Sequence, residues 1–461
     1  AVGALAGGAV TTGIQNTLVG GLAGDALTDA DYNVALGYSA LTDDILGSRS
    51  TAVGAYALAN QVFSTATAAY NTAVGMDAGA QVTTGISNTL IGGLAGDALT
   101  DADNNVAVGK GALSADTLGS TAVAIGNFAL ASQNFTTATN NFNVAIGYSA
   151  GEQVTTGISN TLIGGLAGDA LTDADQNVGV GKNAIGSDTL GSKSTAIGHG
   201  SLAVQNFTTA TDTYNIAVGF HAGVAVTTGV QNTLVGGLVA DALTEGGNNA
   251  AFGQGALGSD TKGSHSTAIG SFALGTQNFT TATDSHNTAV GYNAGGLVST
   301  GLVNTLIGAQ AGDALSTGGY NTVVGYDALS AEDTGRKNVA IGTYALNVQN
   351  SDADNLNTAV GYQAGFAVTT GLRNTFIGGL AGDATVDSSV NVAVGHEALS
   401  ADSGGTCTAV GGDALRLTTG YDNTALGFNA GGQVTSANNT MLLGHDAGIT
   451  GSPGGAITTQ V

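Results

Sequence analysis

The chain has 461 residues, 76 of them glycine and one proline, with 33 acidic against 9 basic side chains and a net charge of −24. That balance leaves no basic patch to neutralise phosphates and excludes nucleic-acid binding, while 9% charged and 43% hydrophobic residues exclude a disordered acidic tail. Glycine far below one residue in three excludes collagen, and the lone Cys407 excludes a disulfide framework or zinc cluster. No apolar run reaches the roughly 18 residues of a membrane helix, so membrane insertion is not expected.

From the N-terminus a short phrase repeats: a small or polar residue, a small apolar residue, a large apolar residue, then glycine. Its glycines begin at Gly3, Gly20, Gly37, Gly54 and Gly75 and end at Gly411, Gly427 and Gly444, 26 in all. From Gly3 to Gly291 the spacings run 17, 17, 17 and 21 four times over, a superrepeat of 72 residues; after Gly342 they range from 16 to 19. Helical solenoids need about 33–47 residues per repeat to hold two helices. A 17-residue unit centred on glycine instead predicts one rung of a parallel β-solenoid, an all-β fold of short strands and tight turns. Stacked at about 4.8 Å, 26 rungs of 16–21 residues would make a rod about 125 Å long. Residues 1–438 are assigned to this domain and 439–461 to a divergent last coil and C-terminal tail.

Four residues before most corner glycines stands asparagine, as in Asn71, Asn88, Asn105, Asn143, Asn160, Asn177, Asn215 and Asn232. Stacked, these predict a ladder running from side-chain amide to side-chain amide. Cys407 falls in the slot that Asn338 and Ser266 occupy, so it reads as a substitution within the ladder. Side chains alternate along a strand, so the residues one and two before each glycine point to opposite sides. The larger set, such as Val74, Ile91 and Val108, is expected inside, and the set containing Ala73, Leu90 and Ala107 outside. An apolar stripe of this length exceeds the few hundred Å² a monomer exposes. A partner chain is therefore expected, in a homo-oligomer with chains side by side; the alternative is that a loop of the same coil covers the stripe.

Two features recur once per superrepeat. The first is an acidic row, Asp25, Asp97, Asp169, Asp241, Asp313 and Asp383. In early copies further carboxylates accompany it, Asp101 and Asp103 beside Asp97, and Asp173 and Asp175 beside Asp169. Carboxylates in a cluster suit calcium, but later copies lose the second pair and no glutamate completes a bidentate site, so the row reads as a solvated acidic turn. The second feature is the four extra residues of every fourth unit, which fall in Thr-rich segments flanked by aromatic residues: Phe63 and Tyr70, Phe135 and Phe142, Phe207 and Tyr214, Phe279 and His286. These loops are expected to bulge from the rod. They serve either as spaced contacts for a cell-surface glycan or receptor, or as packing against a neighbouring chain.

Catalytic look-alikes are part of the same phrase. Gly147-Tyr148-Ser149-Ala150-Gly151 has the spacing of a nucleophile elbow without its strand-to-helix context, and Gly253-Gln254-Gly255-Ala256-Leu257-Gly258 mimics a dinucleotide fingerprint without a βαβ unit. The six histidines, His199, His221, His265, His286, His396 and His445, show no ligand spacing. No enzyme, cofactor or resident metal is expected.

Stretches such as Asn143-Val144-Ala145-Ile146-Gly147 and Asn338-Val339-Ala340-Ile341-Gly342 resemble the head repeats of YadA-like trimeric autotransporter adhesins. Asn287-Thr288-Ala289-Val290-Gly291-Tyr292-Asn293-Ala294-Gly295 is similar to repeats of phage tail-fibre proteins. The resemblance implies a parallel homotrimer, extracellular, on a virion tail or a bacterial cell surface. The stalk, anchor and chaperone segments of those families are not recognisable. The expected function is a structural or adhesive fibre presenting repeated contacts, with a purely structural filament that binds no receptor as the alternative. The main threonines, such as Thr72, Thr89, Thr288 and Thr305, are single and not arranged as Thr-x-Thr on successive rungs, which argues against ice binding.

Overall fold

The computed structural model describes residues 1–448 and the two-residue strand Thr459–Gln460. Most of the expected tail therefore lies outside the described residues. The chain divides into two units, Ala1–Gln231 and Asn232–Val461. Each is an all-β parallel solenoid, about 25 turns in total, and no helix occurs among the described residues. In the first unit, twelve three-residue strands from Thr17–Val19 to Ile216–Val218 stack one per coil, and Val2 adds a bridge to Val19. In the second, thirteen coil strands run from Thr233–Val235 to Thr440–Leu443. Within each unit these strands pair parallel and in register, as Thr72 with Thr89, Ala73 with Leu90 and Val74 with Ile91.

The corner glycine is required by geometry. Gly54 has φ +136°, outside the range of ordinary L-residues, and a Cβ there would collide with the carbonyl oxygen of Gly75 on the next coil. The same stacking of one corner on the next repeats along each unit.

The interior holds the opposite face of the strand from the one expected. Residues two before the glycine, including Ala73, Leu90, Ala107 and Ala145, are wholly buried, whereas the large residues one before it lie outside, Ile91 at 39% exposure and Ile307 at 40%. The reason is volume. A coil of 17 residues encloses a narrow space that already receives Ala95 and Leu99 from its turns, so the strand contributes only one further side chain of matched size. Where that side chain is leucine, as in Leu18, Leu90 and Leu162, the position four after the glycine is Gly24, Gly96 or Gly168. Where it is Ala35, Ala52 or Ala107, that position is Leu41, Leu58 or Leu113. A Cβ on Gly24 would lie 2.7 Å from Leu27 and 2.9 Å from Leu18. Large and small thus alternate to keep each coil filled.

The asparagine row is wholly buried, but it runs from side chain to backbone. Asn71 Oδ1 accepts the Asn88 amide at 2.9 Å while its Nδ2 donates to the Gly85 carbonyl at 2.7 Å; Asn88 repeats the pattern with Asn105 and Ala102. Backbone groups at the bend need partners inside the coil, and a side-chain amide supplies a donor and an acceptor together. Cys407 does occupy this slot. Its amide donates to Asn391 Oδ1 at 3.0 Å and its thiol lies 3.4 Å from the Gly420 carbonyl, where asparagine would place Nδ2.

Candidate functional site

From Asp44 to Glu332 every fourth coil is built around a buried carboxylate that inspection of the sequence passed over. Asp44 and Gln61 occupy, on successive coils, the interior position that Leu27 and Val82 fill on their neighbours, and both are fully buried. Asp44 Oδ1 accepts the backbone amides of Gly47 at 3.0 Å and Phe63 at 3.2 Å, and Oδ2 accepts Gln61 Nε2 at 2.6 Å. Gln61 Oε1 in turn accepts Asn71 Nδ2 at 2.9 Å. Asp116, Asp188 and Asp260 repeat the arrangement with Gln133, Gln205 and Gln277. Burial pushes the Asp44 and Asp116 carboxyls above the ordinary carboxylate range, opposed by these hydrogen bonds. Their spacing of 72 residues, each followed on the next coil by glutamine in a slot that leucine or valine holds on most other coils, is the signal that could have found them.

This carboxylate fastens the four-residue insertion, which therefore does not bulge freely. Within the inserted segments, Thr67–Ala68 pairs with Gly47–Ser48, Thr139–Asn140 with Gly119–Ser120, Thr211–Asp212 with Gly191–Ser192 and, in the second unit, Thr283–Asp284 with Gly263–Ser264. Phe63, Phe135, Phe207 and Phe279 turn inward and are only 5–7% exposed, which corrects their reading as contact residues. An apolar ring beside a buried carboxylate is sheltered from water at little cost. The second aromatic of each loop does face outward: Tyr70 at 53%, Phe142 at 59% and Tyr214 at 51% exposure, with His286 also exposed.

Beside these rings stand cations from the coil before. Arg49 lies 5.4 Å from the Tyr70 ring and 5.7 Å from that of Tyr32, and Lys193 lies 5.3 Å from Tyr214 while pairing with Asp212 at 2.5 Å. The Asp212 contact raises the Lys193 ammonium above its ordinary range. His265 faces His286 at 5.3 Å between ring centres and meets Asp284 at 3.0 Å. In the same place in the second unit Lys337 pairs with Asp354 at 2.6 Å and lowers its carboxyl. Shallow clefts open at this level: about 200 Å³ lined by Asp31, Tyr32, Ser48, Arg49 and Thr67, and about 330 Å³ lined by Thr334, Arg336, Asp352 and Asp354. Ring, cation, carboxylate and hydroxyl together can take up a polar ligand with one flat apolar face.

The acidic rows do not converge on one point. Asp101 and Asp173 accept hydroxyls of Thr84 and Thr156 at 2.5 Å, and Asp103 and Asp175 accept the amides of Ile86 and Ile158 at 2.7 Å. Asp97 and Asp169 are half-buried, and burial pushes both carboxyls up. Asp169 lines a cleft of about 340 Å³ whose other walls include Asn183 and Ser187 and no second carboxylate. The structure thus spends Asp101, Asp103, Asp173 and Asp175 on neighbouring coils and leaves Asp97 Oδ1 buried without a partner, and among the described residues it does not gather three of these carboxylates at one point.

The histidines are less scattered than their spacing implies. His199 and His221 lie 5.3 Å apart between ring centres, with Phe220 against both. His396, Glu397 and Asp413 each offer a ligand atom within 4.8 Å of the others, the one such trio of His, Cys, Asp or Glu among the described residues. Ser149, the serine of the elbow-like phrase, is 1% exposed within a coil turn. No family model matches the chain, and a search of curated proteins returns no match.

Proposed function

We propose that the chain is a structural fibre or adhesion protein, a parallel homotrimeric shaft or head displayed on a virion tail or bacterial surface, and not an enzyme. The observation that supports this reading is the chemistry of one face. The outward strand positions, three and one before each corner glycine, carry Thr or Val and Val or Ile, with occasional Leu, Ala, Met and Phe. The position one after it carries Tyr38, Met76, Tyr148, Phe220, Tyr292, Tyr362 and Phe428, all at 52–59% exposure, and on most other coils glycine, alanine or a polar residue, including Lys110 and Lys182. None of the 33 acidic residues falls in these three columns. Copies of a chain with net charge −24 repel through every other face and approach through this one.

Each unit presents about 60 Å of this face, some 13 Å wide, or roughly 800 Å². That equals the share one partner contributes to a standard stable interface, about 800 Å². The 72-residue recurrence would then set the outward aromatics Tyr70, Phe142 and Tyr214 at regular intervals along the first unit, with His286 the equivalent position in the second, where weak contacts sum by multivalency. Sedimentation equilibrium tests the assembly: a mass near three times 44.5 kDa is expected, and a stable mass of 44.5 kDa at micromolar concentration overturns it.

A filament that binds no receptor is favoured by a separate observation, the burial of Phe63, Phe135, Phe207 and Phe279, which removes half of the expected contact residues. Binding to bacterial surface polysaccharide, compared between the wild type and a Tyr70→Ala, Phe142→Ala, Tyr214→Ala, His286→Ala variant, separates the two. Loss of binding in the variant supports adhesion, and no binding by either supports the filament.

A further inference from the structure

We infer that His396, Glu397 and Asp413 form a surface site for a divalent first-row transition ion of the zinc class. His396 and Glu397 follow the corner glycine Gly395, and Asp413 stands two after Gly411 on the next coil. The strands leading into these corners, Val392–Val394 and Thr408–Val410, pair in register, and the Asp413 amide donates to the His396 carbonyl at 2.9 Å. Stacking therefore sets the Glu397 and Asp413 carboxylates on adjacent coils of one column. Along that column of described residues no other two carboxylates follow on consecutive coils: Asp77 lies between Tyr56 and Leu94, Asp327 between Gln310 and Tyr344, and Asp446 follows Asn429. Like charges placed directly opposite on neighbouring strands repel, so the pair calls for a cation.

Arg416 answers that need only loosely. It reaches Glu397 at 3.4 Å and Asp413 at 3.6 Å from a partly exposed position, longer than the roughly 2.7–2.9 Å of a good charge-assisted bond. Exposed pairs of this kind contribute little, and the side chain can swing away when an ion enters. The His396 ring lies alongside, its Nδ1 4.0 Å from Glu397 Oε1. One imidazole nitrogen with two carboxylate oxygens suits zinc, nickel or cobalt, whereas calcium prefers an all-oxygen set. Bound at about 2.0–2.2 Å from each ligand, the ion leaves an outer position to water and ties together two coils where the corner spacing is 16 residues.

The test is calorimetric titration of zinc chloride into the untagged, chelator-stripped full chain, alongside His396→Ala and Arg416→Gln, with circular dichroism confirming that each variant folds. The expected result is that His396→Ala loses one equivalent or weakens it at least tenfold, and that Arg416→Gln binds several-fold more tightly than wild type. Identical stoichiometry and affinity in wild type and His396→Ala overturns the site, as does absence of binding in both wild type and Arg416→Gln. His396 stands in the column one after the corner glycine, so the sedimented mass of each variant is compared with wild type, and loss of zinc at an unchanged mass is the loss that the site predicts.

Discussion

Inside the first unit, Gln61 donates its side-chain amide to the Asp44 carboxylate at 2.6 Å, and neither residue reaches solvent. The second unit repeats the relationship with one change. Where the coil is two residues shorter, 19 between Gly342 and Gly361, the acid is Glu332, whose longer side chain still reaches Gln349 at 2.9 Å and the Gly335 amide at 2.7 Å. Side-chain length compensates for loop length, which marks the acid as the anchor of the insertion.

Removing that anchor should loosen one coil and spare distant ones. Asp116→Ala strips the acceptor from Gly119 N, Phe135 N and Gln133 Nε2, and leaving buried donors unpaired costs about 1–3 kcal/mol each. Amide hydrogen exchange should accelerate at Gly119 and Phe135 and stay unchanged at Gly47, because solenoid coils depend on their neighbours. Unaltered protection at Phe135 would count against the anchoring role.

Acidification from neutral pH should stabilise the fold. Burial raises the carboxyl pKa of Asp44, Asp97, Asp116, Asp169, Asp313 and Asp383 above the ordinary 3.8. The folded state therefore binds protons that the unfolded state has already released. Their stabilisation is complete below the ordinary carboxylate pKa and is lost as pH rises through the raised folded values. Asp354, lowered by Lys337, acts in the opposite sense but is exposed and screened. A higher Tm at pH 5 than at pH 7 is expected; a Tm that falls over this interval would contradict the assignment.

Core filling can be tested where it is most extreme. Phe376 is wholly buried, the ring lies against the α-carbon of Gly382, and Thr385 stands where Leu315 fills an equivalent coil. Phe376→Ala should cost about 3–5 kcal/mol. Phe376→Leu combined with Thr385→Leu recreates the Leu306, Gly312, Leu315 composition and should recover most of that loss in urea denaturation.

The acid-free face makes its own prediction. Ile163 and Ile307 are 36% and 40% exposed on the single chain, so lysine at both is tolerated by the coil and disfavoured in a chain-to-chain seam. The Ile163→Lys, Ile307→Lys variant should keep its β-type circular dichroism and sediment as single chains, and an assembly mass equal to wild type would place the seam elsewhere.

The solenoid, its corner glycines and the buried asparagine row were legible in the sequence because each repeats at fixed spacing and each answers a backbone requirement. Which face of the strand turns inward was not. Alternation separates Leu90 from Ile91 but says nothing of which is enclosed, and the answer depends on the volume already taken by Ala95 and Leu99. The inward turn of Phe63 was hidden for a related reason: its amide is held by Asp44, 19 residues earlier, and no local pattern links them. His396, Glu397 and Asp413 come together only because coils stack.

The buried Asp and Gln pairs have a consequence for how so repetitive a chain finds its own alignment. Successive coils share nearly the same outline, so a nascent strand that docked one turn out of place would still satisfy most backbone bonds. It would also put a carboxylate such as Asp116 against the valine or leucine of a neighbouring turn, enclosed and stripped of its Gln133 and Phe135 donors with only the Gly119 amide of its own coil left, at a cost of several kcal/mol. Mispairing by one, two or three turns is penalised in this way, and only a shift by a whole set of four escapes it. The acid acts as a proofreading mark for stacking.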